Sequence, residues 1–422
     1  MAVRPLPCRQ RGVAALIVTL ALFFAMVLVA VFVNRNLLVE QHSARNHERA
    51  TQAFEAAEAG LEWALAQLNN PQKLGSDCLV SAAADASSFR TRHLQTDTRT
   101  GRITPIAWTD AGVSRSLRAS CMHDGDSWAC SCPNGTAPSL PTASGPAATP
   151  GFSVEFAGTE RPGVVRIVST GCSRAENLCA IDDDARNNAN ARIEVMVALL
   201  PALRTPPAAA LTVRGTVATA AAFGAHNADP ESGIAIHAGG TIAAPAARLT
   251  APAGTGSGEA LLSNDAGLAE RTPARFFASH FGIGKTDWSM QPAATRIDCR
   301  VDCAATLLRA IESAGMSSLF WVDGDLALDG PVSIGTLEQP VTLIVSGTAR
   351  LAGAVQFHGV LHAGAVSWNT PAAGALLRGA LLSEGDYDGD GTPALVYDRG
   401  VLMTLQHASG SFVRVGGSWR DF

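Results

Sequence analysis

Arg9-Gln-Arg-Gly12 runs without a break into Val13-Ala-Ala-Leu-Ile-Val-Thr-Leu-Ala-Leu-Phe-Phe-Ala-Met-Val-Leu-Val-Ala-Val-Phe-Val33, and this stretch decides how the chain is read. Thr19 is the sole hydroxyl in the run. At about 1.5 Å per residue a helix of this length crosses a hydrocarbon core of about 30 Å. Arg4, Arg9 and Arg11 precede it and no acid does, which places the N-terminus in the cytoplasm and everything after Asn34 outside. A secretory signal is a poor fit. The run is longer than the usual apolar region, and it ends in Val31-Phe-Val-Asn-Arg-Asn-Leu-Leu38 rather than in a small-x-small cleavage site.

Helical spacing continues past the apolar run. Phe54, Ala57, Leu61, Leu65 and Leu68 recur three or four apart, while Glu55, Glu58 and Glu62 take other positions. Asn69-Asn-Pro71 stops the pattern. A single helix from Val13 to Leu68 would be about 84 Å long, its first half suited to lipid and its second to packing beneath a globular head.

The segment Arg9–Leu20, together with Gln52-Ala-Phe-Glu-Ala-Ala-Glu-Ala-Gly-Leu61, resembles the N-terminal region of PilX-type minor pilins of type IV pili over roughly the first 70 residues. The tail Gly416-Gly-Ser-Trp-Arg-Asp-Phe422 is similar to the end of large members of that group. The resemblance implies a prepilin peptidase that cuts after Gly12 and leaves Val13 as an N-methylated first residue. It also implies other minor pilins, the major pilin, a tip adhesin and the inner-membrane assembly platform as partners. The chain would be held in the inner membrane by one pass before assembly, with its ectodomain exported, and would stand at the pilus tip or cell surface afterwards. One position departs from the family. Major pilins have a glutamate at the fifth mature position, able to neutralise a neighbour's terminal amine in a low-dielectric bundle; here that position is Ile17. A low-copy subunit that primes assembly and sits at or near the tip, supporting twitching motility and adhesion, is the expected function. A minor pseudopilin of type II secretion and a signal-anchored calcium-dependent adhesin are the alternatives.

Composition bounds the rest. Apolar residues make up 47% of the chain and charged ones 16%, which argues against a largely disordered ectodomain. The net charge is −5, and no basic run lies outside the leader, so nucleic acid is not expected as a partner. Of nine cysteines, Cys8 lies in the leader. The other eight form an even set on the oxidising side. Cys172 with Cys179, and Cys299 with Cys303, are close enough to pair. Cys78, Cys121, Cys130 and Cys132 would share two further bridges whose connectivity the sequence leaves open. Zinc is disfavoured, since no second Cys-x-x-Cys or His-x-His accompanies these thiols.

The expected class is α+β: a long transmembrane pilin helix followed by a β-rich, disulfide-containing ectodomain. The segments are a leader (1–12), the transmembrane half of the helix (13–33), its amphipathic half (34–70), a pilin-like head (71–200), a linker with short strands and a helical part (201–318), and a β-rich C-terminal domain (319–422). In the head, Phe152–Phe156, Val164–Val168 and Arg192–Leu199 read as strands covering the helix. Asp182-Asp-Asp184 reads as a solvated loop tip. Further on, Trp321-Val-Asp-Gly-Asp-Leu-Ala-Leu-Asp-Gly330 is echoed 23 residues later by Ile344-Val-Ser-Gly-Thr-Ala-Arg-Leu-Ala-Gly353. Such an echo with Gly corners favours rungs of a short parallel β-helix over an antiparallel sandwich.

Chemistry is sparse. Asp323, Asp325 and Asp329 lie in turn-like contexts, and no Gly-x-Ser-x-Gly accompanies His237, His358 or His362. No enzymatic activity is expected. Asp386-Tyr-Asp388-Gly-Asp390-Gly-Thr392 matches the opening of a calcium loop: alternate carboxylates, a Gly for the turn, and the Thr392 carbonyl as a further ligand. Tyr397 stands where an EF-hand has its bidentate Glu, with Asp398 as the substitute. Calcium is therefore the expected cofactor, as a structural ion.

Overall fold

A computed structural model describes residues 13–141, 149–175, 177–179, 188–299, 303–315, 318–370 and 372–422. Gly12 and Asp182–Asp184 lie outside the described residues. The first element is one uninterrupted helix, Val13–Asn69, of 57 residues. Leu16 to Val33 are exposed along it, whereas Ala53, Ala56, Ala57, Leu61, Ala64 and Leu68 are buried. Among the described residues this is the one helix long and apolar enough to cross a membrane.

The buried half lies on an antiparallel sheet. Its strand order is Gly410–Arg414, Asn190–Pro201, Val164–Cys172, Gly151–Gly158, Ala119–Asp124 and Ser127–Ser131. Small residues on the helix let the two surfaces come together. The closest approach is at Gly171, where an added Cβ would overlap the carbonyl oxygen of Ala53. Phe152, Phe156, Ile167, Val195 and Phe412 complete this core with Leu61 and Leu68. The strand Gly410–Arg414, from the far end of the chain, pairs with Leu199 and its neighbours, so residues 202–409 form an insertion within the head. The division placed at residue 319 by sequence is not where the structure divides, and the tail belongs to the head sheet.

The insertion is a parallel solenoid with three-sided rungs. The echo of 23 residues appears as register: Trp321 pairs with Ile344, Leu328 with Leu351 and Val332 with Val355, all parallel. The preferred β-helix is therefore the observed arrangement. Where helices cover them, as at 319–322 and 341–345, the strands are buried on both faces and read as continuous apolar runs, whereas Leu326–Asp329 alternates buried and exposed residues. Phe320, Val322, Leu343 and Val345 point into the solenoid interior; Trp321 and Ile344 point outward under the helices Pro273–Phe281 and Lys285–Ser289, which bring Phe276, Phe277, Phe281 and Trp288. At Gly359, φ is +144° and a side chain would overlap the carbonyl oxygen of Val341 in the neighbouring rung; this corner requires glycine.

The rungs do not follow chain order. Ala209–Val213 pairs on one side with Ile234–Ala238 and on the other with Leu376–Ser383. The chain thus enters mid-solenoid, winds out to Leu261–Leu262, crosses over through the two helices, restarts at Ala294–Asp298 and winds back to close on its own first rung. The helix Cys303–Ser313 lies at the restart end, with Leu307 fully buried in the solenoid core.

Candidate functional site

Three features of this architecture bear on function: the exposed helix, the junction where the insertion leaves the head, and the run that sequence nominates for calcium. Val13 is the first residue of the helix. From Leu16 to Val33 its apolar side chains have no cover, which fits burial in lipid or among helices of the same kind. Ile17 lies on this exposed length and offers no carboxylate to a neighbour.

The helix ends where the chain's distant parts meet. Asn69, read from sequence only as part of a stop signal, donates through Nδ2 to Phe412 O at 2.9 Å and accepts from Phe412 N at 2.7 Å. In this way it supplies the pairing that the outer edge of the strand Gly410–Arg414 lacks. Arg90, on the helix Phe89–His93, is buried. Its Nε and Nη2 donate to Leu68 O at 3.1 and 2.8 Å, and Nη2 also reaches Gly410 O at 2.8 Å. A cation is thereby set on the carbonyl end of the long helix, where the helix dipole favours it, with the Phe412 ring 4.7 Å from the guanidinium. Burial pulls Arg90 down to about 10. No sequence signal marks this residue, because its partners, Leu68 and the stretch 408–412, are two segments far apart in the chain.

All eight cysteines expected outside the leader are bridged. Cys172–Cys179 and Cys299–Cys303 are as expected, and the open pair of bridges resolves as Cys78–Cys132 and Cys121–Cys130. Cys121 and Cys130 face each other on neighbouring antiparallel strands. Cys299–Cys303 ties a terminal rung to the helix that covers it.

The calcium run is a strand and its corners. Tyr387–Gly389 pairs with Val217–Thr219 and with Val366 and Ser367. Tyr387 is buried, while Asp386, Asp388 and Asp390 are exposed. In a strand, alternate side chains stand about 6.6 Å apart and roughly parallel, so these carboxylates do not gather round one point. Both ends of the run are occupied by local bonds. Asp386 Oδ1 accepts from Thr216 N and Oγ1 at 2.7 and 3.0 Å, and Asp390 Oδ1 from Thr370 N at 2.6 Å. Gly391 donates to Trp368 O as the chain passes Thr392 into the next strand. Asp398 caps the helix Arg399–His407 through Val401 N and lies 3.4 Å from Arg378. These residues as placed do not fit a calcium cage, and among the described residues no group of three or more His, Cys, Asp or Glu could hold a metal.

A polar cluster of which sequence named only His362 lies beneath the crossing helices. His362 is fully buried among Phe276, Phe277 and Phe281, with ring centroids at 6.2, 5.0 and 5.5 Å. Burial holds it below the ordinary histidine value. Glu384 is 3.3 Å from His362 Nε2 and 2.6 Å from Lys285 Nζ. Burial pushes Glu384 up, but these partners outweigh that and leave it below the usual carboxylate range. The groups pin the crossing helices to the solenoid. Two other histidines are lowered by desolvation, the buried His93 to about 3 in the head and the half-buried His280 to about 4 on the first crossing helix.

An apolar N-terminal helix clasped at its far half by an antiparallel sheet is the arrangement of the pilins, and the match at sequence level agrees. Residues 11–62 match the family model described as PilX N-terminal. The N-terminal segment is thus similar to that of PilX-type pilins, and the helix with its covering sheet is pilin-like in arrangement. No curated protein matches it. Among solved structures, the crystal structure of competence-associated pilin ComZ from Thermus thermophilus is matched at 12% identity over 89% of this chain and 97% of that one, with a TM-score of 0.22. That likeness is too loose to carry a function.

Proposed function

We propose that this chain is a low-copy, non-enzymatic minor pilin that primes pilus assembly, sits at or near the tip, and supports twitching motility and adhesion through protein–protein contacts. The observation that carries this reading is the insertion of a whole solenoid, residues 202–409, into the head of a pilin-type helix. A head so enlarged is poorly suited to close repetition along a shaft, whereas a terminal position leaves it room. Ile17 supports the same view, since a subunit without the carboxylate pairs less well with successive neighbours. Prepilin peptidase would release the helix after Gly12, and other pilins would pack on its exposed half. Quantitative mass spectrometry of sheared pili tests the proposal: a copy number far below that of the major subunit is expected, with mature protein beginning at methylated Val13. Shaft-level stoichiometry, or an intact Met1, would remove it. Loss of twitching with intact secretion in a deletion strain distinguishes a pilus subunit from a secretion pseudopilin.

A further inference from the structure

Head, solenoid and the helix Arg399–His407 meet around a cavity of about 430 Å³, within the size range of small-molecule sites and at the kind of junction where they occur. Its wall includes Arg90, Leu94, Ile106, Glu338, Pro340 and Ala408. Arg90 is buried, and no carboxylate within ion-pair distance balances its charge among the described residues. A buried cation without an anion is costly. Its donor inventory is also incomplete. Nε and Nη2 are committed to Leu68 and Gly410, neither of which lines the cavity, whereas Nη1 has only Ala408 O at 3.4 Å. Ala408 lines the cavity, so Nη1 is the edge of the guanidinium turned towards it, and this nitrogen carries two N–H groups. The remaining wall offers apolar surface from Leu94, Ile106 and Pro340.

We propose that this cavity binds a small carboxylate with a short apolar body, its oxygens on Arg90 Nη1 and its body against Leu94, Ile106 and Pro340. Carboxylate on guanidinium forms the charge-assisted bond that Arg90 lacks. Glu338 is exposed on the solenoid side of the wall and opposes an incoming anion weakly through solvent. A ligand seated here touches both the head and the insertion, and so ties one to the other. The inference goes beyond the pilus reading and does not depend on it.

Calorimetry on the full chain in detergent, referenced to micelles alone, tests the site with benzoate, benzyl alcohol and inorganic phosphate as probes. Saturable benzoate binding is expected, with benzyl alcohol and phosphate at least about tenfold weaker. Glu338→Gln should tighten benzoate about twofold by removing the rim repulsion. Ile106→Trp should fill the cavity and abolish binding without lowering the melting temperature. Arg90→Lys should weaken benzoate about tenfold by removing the planar fork; if that variant does not fold, the Glu338 and Ile106 variants decide. No saturable heat with benzoate up to about 10 mM, equal affinity for benzyl alcohol, or undiminished binding in Ile106→Trp would overturn the site.

Discussion

The head and the solenoid are both β structures built on one chain, yet they are held together in opposite ways. The head sheet is antiparallel and closes only when Gly410–Arg414 returns across the whole insertion to meet Asn190–Pro201. Much of the solenoid pairs each strand with one about twenty residues away, as in the 23-residue step from Trp321 to Ile344, with one long-range splice at Leu211 and Leu381. Local pairing repeats and can be seen in sequence; non-local closure carries a loop-entropy cost and leaves little trace there. The difference separates what each region's stability rests on.

The sharpest break between them comes from two glycines. Gly359→Val should collapse the solenoid corner, and Gly171→Val should lift the long helix from the head sheet, each costing about 4 kcal/mol or more. Limited proteolysis should show cleavage confined to 209–397 in the first variant and to the head in the second; simultaneous loss of both regions in either would show that they fold as one unit. Leu307→Ala should cost about 3 kcal/mol by emptying the covered end of the solenoid, read as a lower denaturant midpoint for the insertion alone.

Acid should separate the regions too. A histidine whose folded pKa lies below its unfolded value near 6.5 leaves the unfolded chain holding more protons at intermediate pH. Its contribution is full above pH 6.5 and is lost as pH falls towards the folded value. At pH 5 the deeply buried His93 forfeits up to about 2 kcal/mol. The head holds one such histidine, His93, and the solenoid with its crossing helices holds four, His226, His280, His358 and His362. Hydrogen exchange between pH 7 and 5 should therefore destabilise the insertion more than the head, and His362→Phe should narrow that gap. Asn69→Ala should cost about 1.5 kcal/mol and speed exchange at Phe412, while the rungs stay protected. Smallest of all, Asp388→Asn should leave melting unchanged with or without added calcium, since the Asp386, Asp388 and Asp390 side chains share no point; a calcium-dependent rise lost in this variant would restore the ion.

Legibility follows the same division. The apolar run, the helix to Leu68, the Cys172–Cys179 and Cys299–Cys303 pairings and the repeated rung were all visible, because each is a pattern within a short window. The spacing of Asp386, Asp388 and Asp390 was also visible, but a period of two suits a strand with an outward face as well as it suits an ion, and only tertiary pairing distinguishes them. Asn69, Arg90 and Glu384 were not legible as joints. Their partners, Phe412, Gly410 and Lys285, become neighbours only after the chain has folded across itself.

The rung 209–226 stands between one completed soon after it, at 234–250, and one completed only at 376–397. On the proposed reading, the chain is threaded outward behind its N-terminal helix and delivers these pieces in sequence order. Its first coils must wait on the far side, flanked on a single edge, until nearly the last residue has been translocated. Maturation of the ectodomain is then a concluding event rather than a stepwise one, and any factor that shields half-built coils during passage would act on residues 209–262.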